Sequence, residues 1–388
     1  MKIEQKCWRL SSGWVSLTKE KLSDKAQLVL LFGERPLLKE TRVIQDIRDS
    51  YPHAHLLGCS TAGEILGTQV YDNALVLTAV YFENTALQVE KIRMTPGGSR
   101  MVGEQLAGKF DKNCLKHVFL LSEGLNVNGT ELAKAFSDIL PEDVVVTGGL
   151  AGDQDLFEET LILSDGHAEK DLVAAVGFYG DAIKIGYGSM GGWDSFGPER
   201  LVTCSKGNVL YELDGCSALE LYKRYLGPHA QGLPATGLLF PLSVRIENND
   251  QRLVRTILSV DEKSGSMTFA GDIPEGSHAQ LMKSNLERLV DGASGAAEMC
   301  AETSSMARTE LAVLISCVGR KLVLKQRVEE EIEAVQEKLG PQAVLTGFYS
   351  YGEICPGAST EKCCELHNQT MTITTFHEDV RKREATNE

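Results

Sequence analysis

The chain has 388 residues, 43% hydrophobic and 24% charged, the composition of an ordinary globular protein and long enough for two domains. Its 54 acidic residues outnumber its 39 lysines and arginines, and no basic stripe offsets the net charge of -15. That balance argues against nucleic acid and an anionic membrane surface as partners.

No run is apolar enough for a secretory core or a membrane span, so membrane insertion is not expected. The ten cysteines are scattered rather than packed into a short disulfide frame. Free thiols in a reducing cytoplasm are therefore expected.

Residues 1–27 read as a lead-in that Trp8 and Trp14 anchor to the core. Leu28 to Phe32 is a buried strand ended by Gly33, and Pro36 opens a helix with Val43, Ile44 and Ile47 on one face. His55 to Cys59 is the next strand. It runs into a loop, Ser60 to Ile65, and Ala74 to Phe82 is a further strand. A second pass has a strand at Val118 to Ser122, a helix from Gly129 to Leu140, and a strand at Val144 to Thr147. That strand enters Gly148-Gly149-Leu150-Ala151-Gly152-Asp153, and Leu172 to Tyr179 follows as a strand.

Gly186 to Trp193 reads as too rich in glycine for regular structure. Residues 216–226 form a short amphipathic helix, and Pro228 to Pro241 a domain joint. Leu253 to Val260 and Ser266 to Ala270 read as strands, Ala279 to Leu289 and Ala293 to Cys300 as helices. The third pass has a strand at Leu311 to Ser316, a helix from Arg327 to Leu339 and a strand at Val344 to Phe348. A loop with Gly352 and Glu353 follows, then a return strand from Thr370 to Phe376. The tail, 377–388, is charged.

Strand, helix, strand, Gly-rich loop with an acid, strand thus occurs three times, which predicts a mixed α/β (α+β) protein of repeated units. Glu64, Asp153 and Glu353 each follow a glycine directly. Glycines at strand ends let backbone approach a ligand, and free N–H groups there hold anions. Three such loops point to one shared pocket, in which the acids serve as proton carriers or grip an ammonium group.

Cys317-Val318-Gly319-Arg320-Lys321 lacks the spaced glycines and hydroxyl of a phosphate loop. Cys355-Pro356 is a dipeptide of thiolate haem sites, and His367 offers an imidazole to iron. Cys355, Cys363, Cys364 and His367 give the alternative of zinc. A structural histidine that satisfies backbone groups is the plain alternative for His367. Cys59 near His53 and His55 leaves an enzyme reading open, without an identifiable orienting acid.

Gly58 to Ile65, Thr147 to Asp153, Phe348 to Ile354 and Leu366-His367-Asn368-Gln369-Thr370 resemble the FIST sensory family in both its N- and C-terminal halves. The resemblance runs from about Leu28 to Phe376 and implies domains at 28–226 and 227–376. It implies a cytoplasmic ligand-sensing protein of signal transduction rather than an enzyme. Phe348 to Glu353 and His367 to Thr372 also look like the family's stand-alone nitric-oxide-sensing branch (NosP). That branch implies haem b, nitric oxide, a partner histidine kinase, an effect on biofilm through two-component regulation, and room for a homodimer. Expected haem contacts are His367 to iron, then Cys355, Pro356 and Tyr349. The expected ligand pocket holds Cys59, Ser60, Thr61, Gly63, Glu64, Gly148, Gly149, Gly152, Asp153, Tyr351, Gly352, Glu353 and Asn368. A haem-free sensor of a small molecule such as an amino acid is the alternative.

Overall fold

Three times along the chain a strand is followed by a helix and by a second strand parallel to the first. The computed structural model describes residues 1–95, 98–246, 252–304, 308–357 and 363–379. Its first unit holds Leu28–Gly33, Thr41–Ser50 and His55–Ser60. The second holds Leu115–Ser122, Gly129–Ile139 and Val145–Leu150. The third holds Leu311–Cys317, Val328–Leu339 and Val344–Ser350. Each unit closes with a strand antiparallel to its first: Leu75–Tyr81, Leu172–Tyr179 and Met371–Glu378.

Leu28–Gly33 and Leu311–Cys317 are almost wholly apolar because both faces of their sheets are covered. The helices bury one stripe each: Val43, Ile44 and Ile47; Leu132, Ala133 and Phe136; Ile332 and Val335. Each large apolar side chain so buried contributes about 1.5–3 kcal/mol. Asn128 starts the second helix by accepting the amides of Thr130 and Glu131.

After its second strand each unit leaves its own sheet and adds a strand to another. Glu64–Leu66 pairs with Val344–Ser350, Gly352–Pro356 with Val145–Leu150, and Ile162–Ser164 with His55–Ser60. The three exchanges form a closed cycle, so the units are related by a pseudo-threefold. A fourth sheet, of eight strands, is built from residues 193–284 and lies outside the cycle.

One glycine in each second strand makes the parallel pairing close enough. A Cβ on Gly58, Gly148 or Gly347 would stand 1.9, 1.8 or 1.8 Å from the carbonyl oxygen of Leu31, Leu120 or Leu314 respectively. Those leucines are their register partners on the first strands.

Several expectations are corrected. Gly186 to Trp193 is irregular only at Gly191 and Gly192: Ile183–Met190 is a strand paired along its length with Met371–Glu378. Its glycines admit a helix, since a Cβ on Gly188 would stand 2.1 Å from the Ala296 carbonyl oxygen. Residues 279–289 and 293–300 are not two helices. His278–Ser284 is a strand between two neighbours, and Leu286–Thr303 is one helix, capped by Asn285. Gly148-Gly149 and Gly352-Glu353 lie in strands, not loops, held by mutual pairing. The lead-in is a hairpin, Lys2–Arg9 and Gly13–Ser16, that extends the first sheet with Trp8 opposite Trp14.

A domain boundary at 226/227 does not part the sheets, because strands from both sides pair with one another. His377 and Glu378 end the last strand, and residues 380–388 lie outside the described residues. Ala86–Arg93 and Gly98–Ala107, a strand and a helix, had no clear sequence signal.

Gly58→Ala should lower the unfolding free energy by about 2 kcal/mol or more, in the range of overpacked cores. Urea unfolding that matches the parent would show that the close strand approach carries no weight.

Candidate functional site

The three loops meet at the centre of the cycle, and their backbone groups are spent on one another. The amide of Ala62 donates to the Tyr349 carbonyl at 2.8 Å, that of Tyr351 to Leu150 at 3.3 Å, and that of Gly152 to Ser60 at 2.9 Å. Each bond joins a different pair of units. The glycine loops therefore bring the expected pocket residues together as a packed hub, with these three amides engaged rather than free to hold an anion.

The acids divide into two kinds. Glu64 and Glu353 occupy equivalent places, fully buried, each accepting a hydroxyl three residues back: Thr61 at 2.6 Å and Ser350 at 2.7 Å. The second oxygen of Glu353 accepts the amide and hydroxyl of Thr370 at 3.1 and 2.9 Å. The second oxygen of Glu64 has no partner among the described residues. Burial pushes the Glu353 carboxyl up to about 8 and Glu64 well above the carboxylate range.

Asp153 stands one residue nearer its strand's close-packed glycine, Gly148, than Glu64 and Glu353 stand to Gly58 and Gly347, and it faces Arg35. It accepts the amides of Phe157, Glu158 and Glu159 at 3.0, 3.0 and 2.9 Å, and the phenol of Tyr351. Arg35 donates at 3.2 Å to the oxygen that also accepts the Glu158 and Glu159 amides. The Phe157 ring stacks on Tyr351 at 4.6 Å. Burial raises the Asp153 pKa, against the pull of Tyr351, the amides and Arg35.

Outside this acid lies a cleft of about 470 Å³ lined by Arg35, Pro36, Lys39, Glu158 and Glu159. Arg35 opens the short helix Arg35–Leu38 directly after the strand Leu28–Gly33. It also meets Glu158 at 3.0 Å, and Glu159 is held by Lys39 and Lys170. Both signs of charge thus line one cleft at the end of a parallel strand, where open α/β sheets take ligands. The sequence reading missed the cleft. Its signal was Arg35-Pro36 after a strand-ending glycine, with Glu158-Glu159 beyond Asp153. A second depression of about 450 Å³, at Arg9, Leu10, Ser11, Asp72 and Asn73, sits where Lys321 meets Asp72.

The remaining candidates are structural. Tyr349 is buried and donates to Glu331 at 2.7 Å, which also pairs with the buried Arg320 at 2.7 Å. Arg320 is therefore no phosphate ligand. Ser60 accepts the Leu161 amide at 2.9 Å. Cys59 lies in an apolar cluster with Phe32 and Phe348, its thiol pushed well up by burial, while His55 is bound to Asp165. No nucleophilic pair forms there.

Nor do the residues fit haem as placed. His367 Nε2 lies 3.1 Å from the Cys355 carbonyl oxygen, and its ring is held neutral, with its pKa lowered to about 4 chiefly by desolvation. The Cys355 thiol is buried and pushed well up, away from the thiolate, and Pro356 is buried opposite Cys364. Neither cleft contains any of these residues. Among the described residues no cluster could hold a metal ion, so Cys355, Cys363, Cys364 and His367 are not assembled for zinc.

Comparison with known proteins adds the following. The FIST N domain family matches residues 27–216 and the FIST C domain family residues 218–356. An uncharacterized protein of Methanocaldococcus jannaschii is 25% identical over 330 residues, 77% of this chain, and the chain spans 61% of that relative's length. A crystal structure of a chorismatase aligns with 97% of this chain and 98% of its own at 8% identity. Its TM-score of 0.32 is too low to support any conclusion. No helix among the described residues is long and apolar enough to cross a membrane.

Glu353 makes stability depend on pH. Unfolded, its carboxyl titrates near the ordinary carboxylate value; folded, near 8. The folded state keeps a proton that the unfolded state releases, so this contribution is full in acid and is lost as pH rises toward 8. Glu353→Gln should remove about 1.4 kcal/mol per pH unit from the fall in stability between about pH 5 and 7.5. An unchanged slope in urea titrations across that range would place the proton elsewhere.

Proposed function

The chain belongs to the FIST family, whose domains are sensors of signal transduction, and on that premise we propose that it detects a small zwitterionic ligand such as an amino acid. The ligand site is the cleft at Arg35, and the output passes to a partner protein, a histidine kinase being the partner the family suggests. No turnover is involved.

One observation carries the reading: the cleft's charges are paired with each other across its mouth. Glu158, 63% exposed, occupies one side of the Arg35 guanidinium. An exposed pair of this kind contributes less than about 1 kcal/mol. A ligand carboxylate replaces Glu158 with a bidentate contact and draws Arg35 off Asp153, and the released Glu158, together with Glu159, takes the ammonium group. Charge is conserved in the exchange, so little desolvation opposes it.

The haem-based reading has one point in its favour. His367 remains neutral at pH 7 and keeps a lone pair. Against it stand the engaged Nε2, the protonated Cys355 thiol and the absence of both residues from the two clefts.

Two measurements test these readings. A thermal-shift screen of amino acids should find ligands that raise the melting temperature, with affinity at least about tenfold weaker in Arg35→Ala, a loss of about 1.4 kcal/mol. A full screen without a shift, or binding untouched in Arg35→Ala, would remove the cleft from the account. Separately, the reduced protein mixed with haemin should give no stoichiometric Soret band. A sharp band that moves with nitric oxide and vanishes in His367→Ala would restore the haem sensor.

A further inference from the structure

We infer that Tyr351 and Asn368 form a link that transmits the state of the Arg35 cleft to the outer sheet of residues 193–284. The inference concerns transmission rather than the ligand.

Tyr351 is fully buried and faces both ways. Its phenol donates to Asp153, its ring stacks on Phe157 in the cleft's turn, and its amide closes one bond of the central ring. Its own carbonyl accepts Asn368 Nδ2 at 3.5 Å, a long bond. Asn368, 1% exposed, uses its side-chain oxygen to accept the Thr256 amide at 3.3 Å. Thr256 lies between the outer-sheet strands Arg252–Arg255 and Ile257–Asp261. The path therefore runs Arg35, Asp153, Tyr351, Asn368, Thr256.

Neighbours of Asn368 repeat the pattern. Thr370 faces the hub through Glu353, while Gln369 Nε2 donates to the Leu238 carbonyl and the Thr256 hydroxyl at 3.0 and 3.2 Å. The Gln369 carbonyl accepts Trp193 Nε1 at 3.1 Å, and the buried Arg255 donates to the Leu366 carbonyl at 3.2 Å. Residues 366–370 thus fasten the hub to the outer sheet with buried polar bonds. Leaving one partner of a buried polar bond unmet is costly, so the segment shifts as a piece or not at all. A shift at Asp153 reaches Thr256 through two residues. Simple glue would give the sheet stability without making it respond to the cleft.

Hydrogen exchange of the amides in residues 252–261 separates the two. Arg35→Ala should speed their exchange several-fold in the otherwise unchanged protein and leave it unchanged when added to Asn368→Ala. Tyr351→Phe, which removes the phenol's bonds to Asp153, the Gln154 carbonyl and the Phe157 amide, should block the effect in the same way and serves if Asn368→Ala fails to fold. Exchange in the helix Gly129–Ile139 gives the reference for intact folding. No response to Arg35→Ala, or equal responses in all backgrounds, would overturn the link. The cycle needs no ligand, so its failure leaves the amino-acid reading standing, and a failed ligand screen leaves the link standing.

Discussion

Three backbone hydrogen bonds, each from a loop of one unit to a strand end of another, close the centre of this protein. They exist because the loops cross from sheet to sheet, and the loops cross because no unit completes its own sheet edge. An open edge exposes unmet N–H and C=O groups, so a single unit is a poor folding entity. The two family domains inherit this dependence. Ile183–Met190 belongs to the first by sequence and pairs with Met371–Glu378 near the chain's end. The halves are separable as stretches of sequence but not as sheets.

The ring also decides what the acids do. At two equivalent positions the crossing strand carries Glu64 or Glu353 into the interior, where an ionised carboxylate loses its hydration. Both respond by holding their protons, and a protonated carboxyl serves as a hydrogen-bonding group that ties the turn. In the remaining loop the acid comes one residue sooner. It meets Arg35 and three consecutive amides beneath the cleft, so the same dipeptide, glycine then acid, yields an ionic contact at the cleft's edge.

The repeat was legible because long apolar runs bounded by glycine survive as a signal in one sequence: Leu28 to Phe32, Val118 to Ser122 and Leu311 to Ser316. The exchange of strands was not, since Glu64–Leu66 and Ile162–Ser164 are too short to show a period. Residues 279–284 are good helix formers placed in a sheet by their neighbours. Gly186 and Gly188 look like loop residues until the helix Leu286–Thr303 is seen against them. Of the three glycines facing Leu31, Leu120 and Leu314, Gly58 and Gly347 fall within strands legible in the sequence, while Gly148 reads as the start of a loop. The cleft rests on a single arginine and a pair of glutamates, a pattern too common to single out.

For the sensor proposed above, energetics favour a switch inside the cleft rather than at its mouth. The Arg35–Glu158 pair is exposed and contributes too little to drive a conformational change. Coupling between sites in proteins is typically worth about 1–3 kcal/mol. Asp153 holds that much: it satisfies three successive amides and a buried phenol, and each donor left unmet costs about 1–3 kcal/mol. A ligand that only trades places with Glu158 therefore binds without consequence. One that draws Arg35 off Asp153 changes the charge beside a buried carboxylate and so the strength of every bond it accepts. In the proposed sensor the specificity of signalling then lies in how deeply a ligand engages Arg35, which separates occupancy from response within a single site.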